Sequence, residues 1–224
     1  MIEYRISMES GRLFEFKVDP RQVADTKSDG RPHPDWVRLE FHQCSNCPLP
    51  RGSCVYCPAA LALESIITEF KDTLSYARAE VRVISPERTY LKECDIQTAL
   101  RSLVGLVMAT SGCPILSQFR GLAASHLPFA SLEETLFRTA GAYLVKQYFV
   151  HKSGGTPDLE MNGLDHFYKS ISTVNTCFKS RVDIVCGQDA NQNAVGSLFY
   201  VAVGIGYSLD DNLAELRGRF FPEM

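Results

Sequence analysis

Apolar and polar residues alternate with a period of two at the start of the chain. "IEYRISM" and "RLFEFKV" both carry the pattern, and "ESG" between them is turn-like, so residues 2–18 predict a β-hairpin. After a polar loop, "DTKSDGRPHPD", the alternation returns in "WVRLEFH". Trp36, Arg38, Glu40 and His42 fall on one face and Val37, Leu39 and Phe41 on the other. "AEVRVIS" from Ala79 reads as a fourth strand. Before it, Leu63, Ile66, Ile67, Phe70 and Leu74 recur at helical spacing and give one apolar stripe. Residues 1–92 thus predict a small antiparallel sheet with one helix.

From residue 93 the period is that of helices. Ile96, Leu100, Leu103, Val104 and Val107 make a stripe closed by Ser111 and Gly112, and a short helix starts after Pro114. Leu136, Ala140, Tyr143 and Leu144 mark a long helix running to about His151, and "HKSGGTPDLEMNG" is a joint. Leu164, Phe167, Tyr168, Ile171, Val174 and Phe178 form a further stripe. Ala194 to Ile205 is apolar on nearly every side, as a helix surrounded by others must be. The expected fold class is α+β, with a sheet module over 1–92 and a mostly helical bundle over 93–224.

Composition changes this picture little. With 45% hydrophobic and 22% charged residues in 224, the chain can bury a core without covalent staples. A net charge of −3 and the lack of any dense Lys/Arg run argue against a nucleic-acid partner. The first residues carry no cationic, then apolar, leader, and the most apolar window is too short and Gly-interrupted for a membrane span, so a cytoplasmic location is expected. Eight cysteines should then stay mostly reduced, which directs the paired ones toward metal.

The pairs stand in "HQCSNCPLPRGSCVYCPAA". Cys44, Cys47, Cys54 and Cys57 form two Cys-x-x-Cys units six residues apart, the donor set of a closed tetrahedral thiolate site. Zinc (Zn2+) in a structural role is the default ion, and iron (Fe), alone or in an iron–sulfur cluster, is the alternative. Pro58 suits the first position of a helix, which makes Cys57 its N-cap and sets the site's negative charge at the helix terminus. His42 reads as a strand residue near the site.

Two further groups are candidates for chemistry. Cys113, between Gly112 and Pro114, also reads as an N-cap, where a thiol pKa falls; with His126 and Glu133 it would centre a thiol-dependent enzyme or redox sensor. The competing reading is a buried thiol in a helical corner, and Cys94, Cys177 and Cys186 read as core residues. Ser131 and Glu134 match a capping box. Asp189 and Asn193, the latter entering an apolar helix where an amide needs a partner, could converge with Arg138, His126 and Glu133 on a ligand pocket.

In this order, "CPLP…CVYCPAA", "SGCP", "HLPFASLEETLFR" and "DANQNA" span about residues 36–205. They resemble an uncharacterised bacterial protein family of unknown function. The resemblance implies a bacterial cytosolic protein with a zinc knuckle, and it carries over no catalytic residue. No phosphate-binding glycine loop, Gly-x-Ser-x-Gly or His-Glu-x-x-His occurs. The function expected is a metal-binding interaction or regulatory module, with a protein partner, a second copy or a small molecule on its helical part. The alternative is the enzyme or redox sensor at Cys113, and whether the protein is an enzyme stays open.

Overall fold

Strands β1 (Ile2–Met8) and β2 (Leu13–Val18) form the expected hairpin. Its turn places Gly11 at φ +85°, a left-handed conformation that glycine adopts without steric cost, and closes with Met8 N–H on the Arg12 carbonyl at 2.9 Å. The computed structural model of the chain describes residues 1–23, 31–206 and 209–221. β3 (Arg78–Ile84) pairs with β1, and β4 (Thr89–Asp95) with β3, giving an all-antiparallel sheet in the order β2-β1-β3-β4. Alternation sends Ile2, Tyr4, Ile6, Phe14, Ala79, Val81 and Val83 to one buried face. Helices α1 (Pro58–Phe70) and α2 (Ile96–Thr110) belong to the same core.

One expected strand is replaced by another. Trp36–His42 does not join the sheet: Asp35–Val37 is a 3-10 turn, and the segment's pairing is one bridge, Arg38 with Tyr56. Leu39 N–H reaches the Val55 carbonyl and Cys57 N–H the Val37 carbonyl, each at 2.9 Å. The alternation is still real, since Val37 and Leu39 are buried while Arg38 and Glu40 are exposed. The fourth strand is β4, an edge strand whose one fully buried residue is Cys94, so its sequence carries almost no periodic signal. β4 passes directly into α2, and the boundary expected at residue 92 falls inside it. Buried residues from Ile2 to Leu216 form one continuous core.

Behind the sheet come a 3-10 turn (Leu116–Phe119), α3 (Arg120–Ala123), α4 (Leu132–Lys152), α5 (Asn162–Val185), α6 (Ala190–Gly206) and α7 (Leu209–Phe220). α6 packs along α5 on one side and α2 on the other, which explains its all-round apolarity. α4 starts with both bonds of the expected capping box: Glu134 N–H on Ser131 Oγ (3.1 Å) and Ser131 N–H on Glu134 Oε2 (2.8 Å). It buries only Leu136, Thr139, Ala140 and Gln147, and leaves Phe137, Leu144, Val145, Tyr148 and Phe149 exposed. The class is α+β, as expected. Among the described residues no helix is long and apolar enough to cross a membrane.

Candidate functional site

The two Cys-x-x-Cys units have different backbones. Cys44–Cys47 is a tight turn, with Cys47 N–H on the Cys44 carbonyl at 3.0 Å, and both cysteines line one small cavity of about 20 Å³. Residues 55–57 instead run antiparallel to 37–39, so side chains alternate across the segment. Cys57 faces the cavity from the N-cap of α1, where Pro58 opens the helix as expected. Cys54 falls outside it: it is exposed, with its thiol on the Tyr56 carbonyl at 3.3 Å. The fourth cysteine in the lining is Cys113, from the corner after α2. Asn46, between Cys44 and Cys47, fastens the turn to α5 through the Ser170 carbonyl (2.9 Å) and hydroxyl (3.2 Å). Among the described residues no three His, Cys, Asp or Glu side chains already stand at the spacing of ligands around one ion.

Arg181 closes the floor of this cavity from α5. It is 2% exposed and donates to three backbone carbonyls, those of Trp36 (2.5 Å), Arg38 (2.8 Å) and Leu39 (3.4 Å). No carboxylate lies within ion-pair distance of it among the described residues. A guanidinium keeps its proton under any ordinary condition, so an isolated one in the interior costs several kcal/mol. Burial pulls its pKa down; the groups whose negative charge would pull it back are Cys57, Cys44, Cys47 and Cys177. Burial first, then the neighbouring thiols, pushes Cys44 well above the ordinary thiol range. Cys113 is also raised, because burial outweighs the Leu116 and Ile115 N–H groups on its sulfur, and this reverses the low pKa expected of it.

A second, larger cavity of about 190 Å³ lies among α2, α4, α5 and α6. Of the residues expected to share a ligand pocket, it contains Arg138 and His126. His126 Nε2 meets the Tyr4 hydroxyl at 2.6 Å, and that hydroxyl also meets Ser102 Oγ at 2.7 Å. Burial, then the Arg138 charge, lowers the His126 pKa to about 4. Asp189 and Asn193 are engaged elsewhere. The Asp189 carboxylate accepts from Ser75 N–H and Oγ, both at 2.8 Å, and Asn193 Nδ2 donates to it at 3.1 Å. Asn193 thus has the partner its helix demands, four residues back and outside the cavity. Glu133 is exposed in the first turn of α4 and His42 is exposed beside Phe41; neither lines either cavity.

A family model described as a domain of unknown function, DUF6901, matches residues 2–221. The chain belongs to the DUF6901 family. No curated protein and no solved structure matches it.

In this DUF6901 chain, two polar residues that line the cavities, Asn175 and Arg181, were not among the candidates the sequence offered. Asn175 and Arg181 sit in the stripe of α5 as polar residues at buried positions. A buried arginine in an otherwise apolar repeat is itself a signal, because it requires a partner. Cys113 had a signal too. Three of the four cavity cysteines are followed by proline (Pro48, Pro58 and Pro114), whereas Cys54 is followed by Val55.

Proposed function

We propose that this DUF6901 protein is a metal-binding interaction or regulatory module whose ion, zinc, is held by Cys44, Cys47, Cys57 and Cys113. One observation carries the reading: a buried arginine without a carboxylate faces a cavity lined by four thiols. Four thiolates on a divalent ion leave a double negative charge, and Arg181 and the N-terminus of α1 are the groups that would stabilise it. Neutral thiols would leave Arg181 without any counter-charge. The donor set is closed, which suits a structural ion with no position for substrate. Room of about 20 Å³ is enough for one small species. Such an ion would tie the 36–57 segment and α1 to the α2 corner and α5, so its binding energy would be folding energy. The exposed apolar side of α4 supports the interaction role.

Iron is the second reading. The thiols surround a shared cavity without standing at single-ion spacing, as an iron–sulfur cluster held by four cysteines would require. The thiol-dependent enzyme at Cys113 is less well supported, since its thiol pKa is raised and His126 lines a different cavity.

Metal analysis of anaerobically purified protein, with its visible spectrum, tests both. Colourless protein with about one zinc per chain is the expected result. A charge-transfer band with iron and acid-labile sulfide would replace zinc by a cluster. Absence of both metals, with no rise in Tm on adding zinc or on iron–sulfur reconstitution, would overturn the proposal.

A further inference from the structure

The larger cavity carries an inference that does not rest on the metal. Its walls are apolar except at a few places: Ser102, His126, Thr135, Thr139, Tyr168 and Asn175, together with two arginines. Most of these polar groups are already paired. Tyr168 donates to Thr139 Oγ1 at 3.0 Å, Thr139 to the Thr135 carbonyl at 2.6 Å, and Ser102 and His126 share the Tyr4 hydroxyl. Asn175 is not. Its residue is 3% exposed, it lines the cavity, and its side chain makes no hydrogen bond among the described residues. Its amide is therefore open to the cavity and can pair with a polar group that enters it.

The charge balance of the cavity is equally incomplete. Arg101 and Arg138 line it, and no aspartate or glutamate does. Arg138 is half-buried and donates to the Ser125 (2.6 Å) and Leu122 (3.4 Å) carbonyls, with no carboxylate at ion-pair distance among the described residues. The carboxylate of Glu134, whose charge reaches it, is already engaged by Ser131 N–H. Arg138, His126 and Leu127 also line a surface cleft of about 420 Å³ together with Arg21, Glu87 and Arg88, so they form the partition between the apolar interior and the surface. At that partition Phe129 takes φ +60°, a left-handed conformation that costs a non-glycine residue free energy and that Ser102 Oγ holds through the Phe129 N–H at 3.2 Å.

We propose that this cavity binds a small monocarboxylic acid, its apolar body among α2, α5 and α6 and its carboxylate on Arg138. Size sets the body: a dry cavity of about 150 Å³ takes benzene, so 190 Å³ takes one ring with a short arm, or a short alkyl chain. Charge sets the head. The single charge of a carboxylate matches the one guanidinium of Arg138, whose long bond to the Leu122 carbonyl (3.4 Å) is the one that yields an N–H to it. Asn175 supplies an amide to any further polar atom on the body.

Calorimetric titration of the full chain with phenylacetate and hexanoate, against the neutral isosteres 2-phenylethanol and hexanol, is the test. At least one acid is expected to bind with a Kd at least about tenfold below that of its alcohol. Arg138→Gln should abolish that preference while the alcohol still binds. Equal affinities for acid and alcohol would overturn the proposal, as would a preference that survives in Arg138→Gln. So would no saturable binding of either acid at millimolar concentration. The acid–alcohol comparison on the unmodified chain decides even if a variant does not fold.

Discussion

The two cavities present the same electrostatic problem with opposite solutions. Each has an arginine with no carboxylate at ion-pair distance among the described residues, the buried Arg181 in the thiol-lined cavity and the half-buried Arg138 in the helical one. Around Arg181 the chain carries latent anions of its own, four thiols that would become thiolates on the proposed ion. Around Arg138 no aspartate or glutamate lines the cavity, and on the proposal above a closer counter-charge arrives with the ligand. The small cavity therefore reads as a staple and the large one as a receptor. The lesson is that an unbalanced buried cation is informative only together with the groups able to balance it.

The largest expected effect would break the comparison on the thiol side. Cys113→Ser should lose the metal and about 3–5 kcal/mol of stability in denaturant titration, whereas Cys54→Ser should change stability by no more than about 0.5 kcal/mol. Hydrogen exchange in Cys113→Ser should rise first in the 36–57 segment, which the ion would hold against α5. Next comes Arg181→Gln, which removes the charge and leaves at most two amide N–H donors for the Trp36, Arg38 and Leu39 carbonyls. Its cost should be about 3 kcal/mol in metal-loaded protein and clearly smaller after chelation. Equal costs in the two states would mean that Arg181 serves the carbonyls alone.

On the receptor side, His126 gives a pH signature. Its folded pKa is depressed to about 4 from an ordinary 6.5, so between those values the unfolded chain binds the extra proton. Stability should therefore be whole above pH 6.5 and fall as the pH drops toward 4, by up to about 3 kcal/mol. His126→Gln, which can still bond the Tyr4 hydroxyl, should flatten that part of the pH–stability curve. A curve unchanged by the substitution would place the acid sensitivity elsewhere. The smallest effect is a control: Ser131→Ala removes the α4 cap at a cost of about 1 kcal/mol and should leave metal content unaltered.

Much of the fold was legible because burial there is periodic. The β1–β2 hairpin, β3, α1, α2 and α5 each show one apolar face to the core, and their sequences say so. Trp36–His42 misled because its alternation is real but its hydrogen-bond partners are unusual. Three of its carbonyls go to the Arg181 side chain, 142 to 145 residues away, where a strand's carbonyls would meet a neighbouring strand. β4 stayed hidden because an edge strand with Leu91 and Glu93 in solvent has no apolar face to repeat. The candidate site was legible by halves. The Cys44–Cys47 turn and Cys57 were visible in local spacing. The arrival of Cys113 was not, since it depends on how the α2 corner packs against α1. Spacing alone could not tell that one Cys-x-x-Cys turns while the other is extended.

The central claim is that Cys113, and not Cys54, completes the thiolate set. X-ray absorption at the metal edge measures this directly. The account predicts four sulfurs at about 2.3 Å in the unmodified chain and in Cys54→Ser, and one sulfur fewer in any metal that Cys113→Ser retains. A sulfur lost in Cys54→Ser with the Cys113→Ser spectrum unchanged would contradict it.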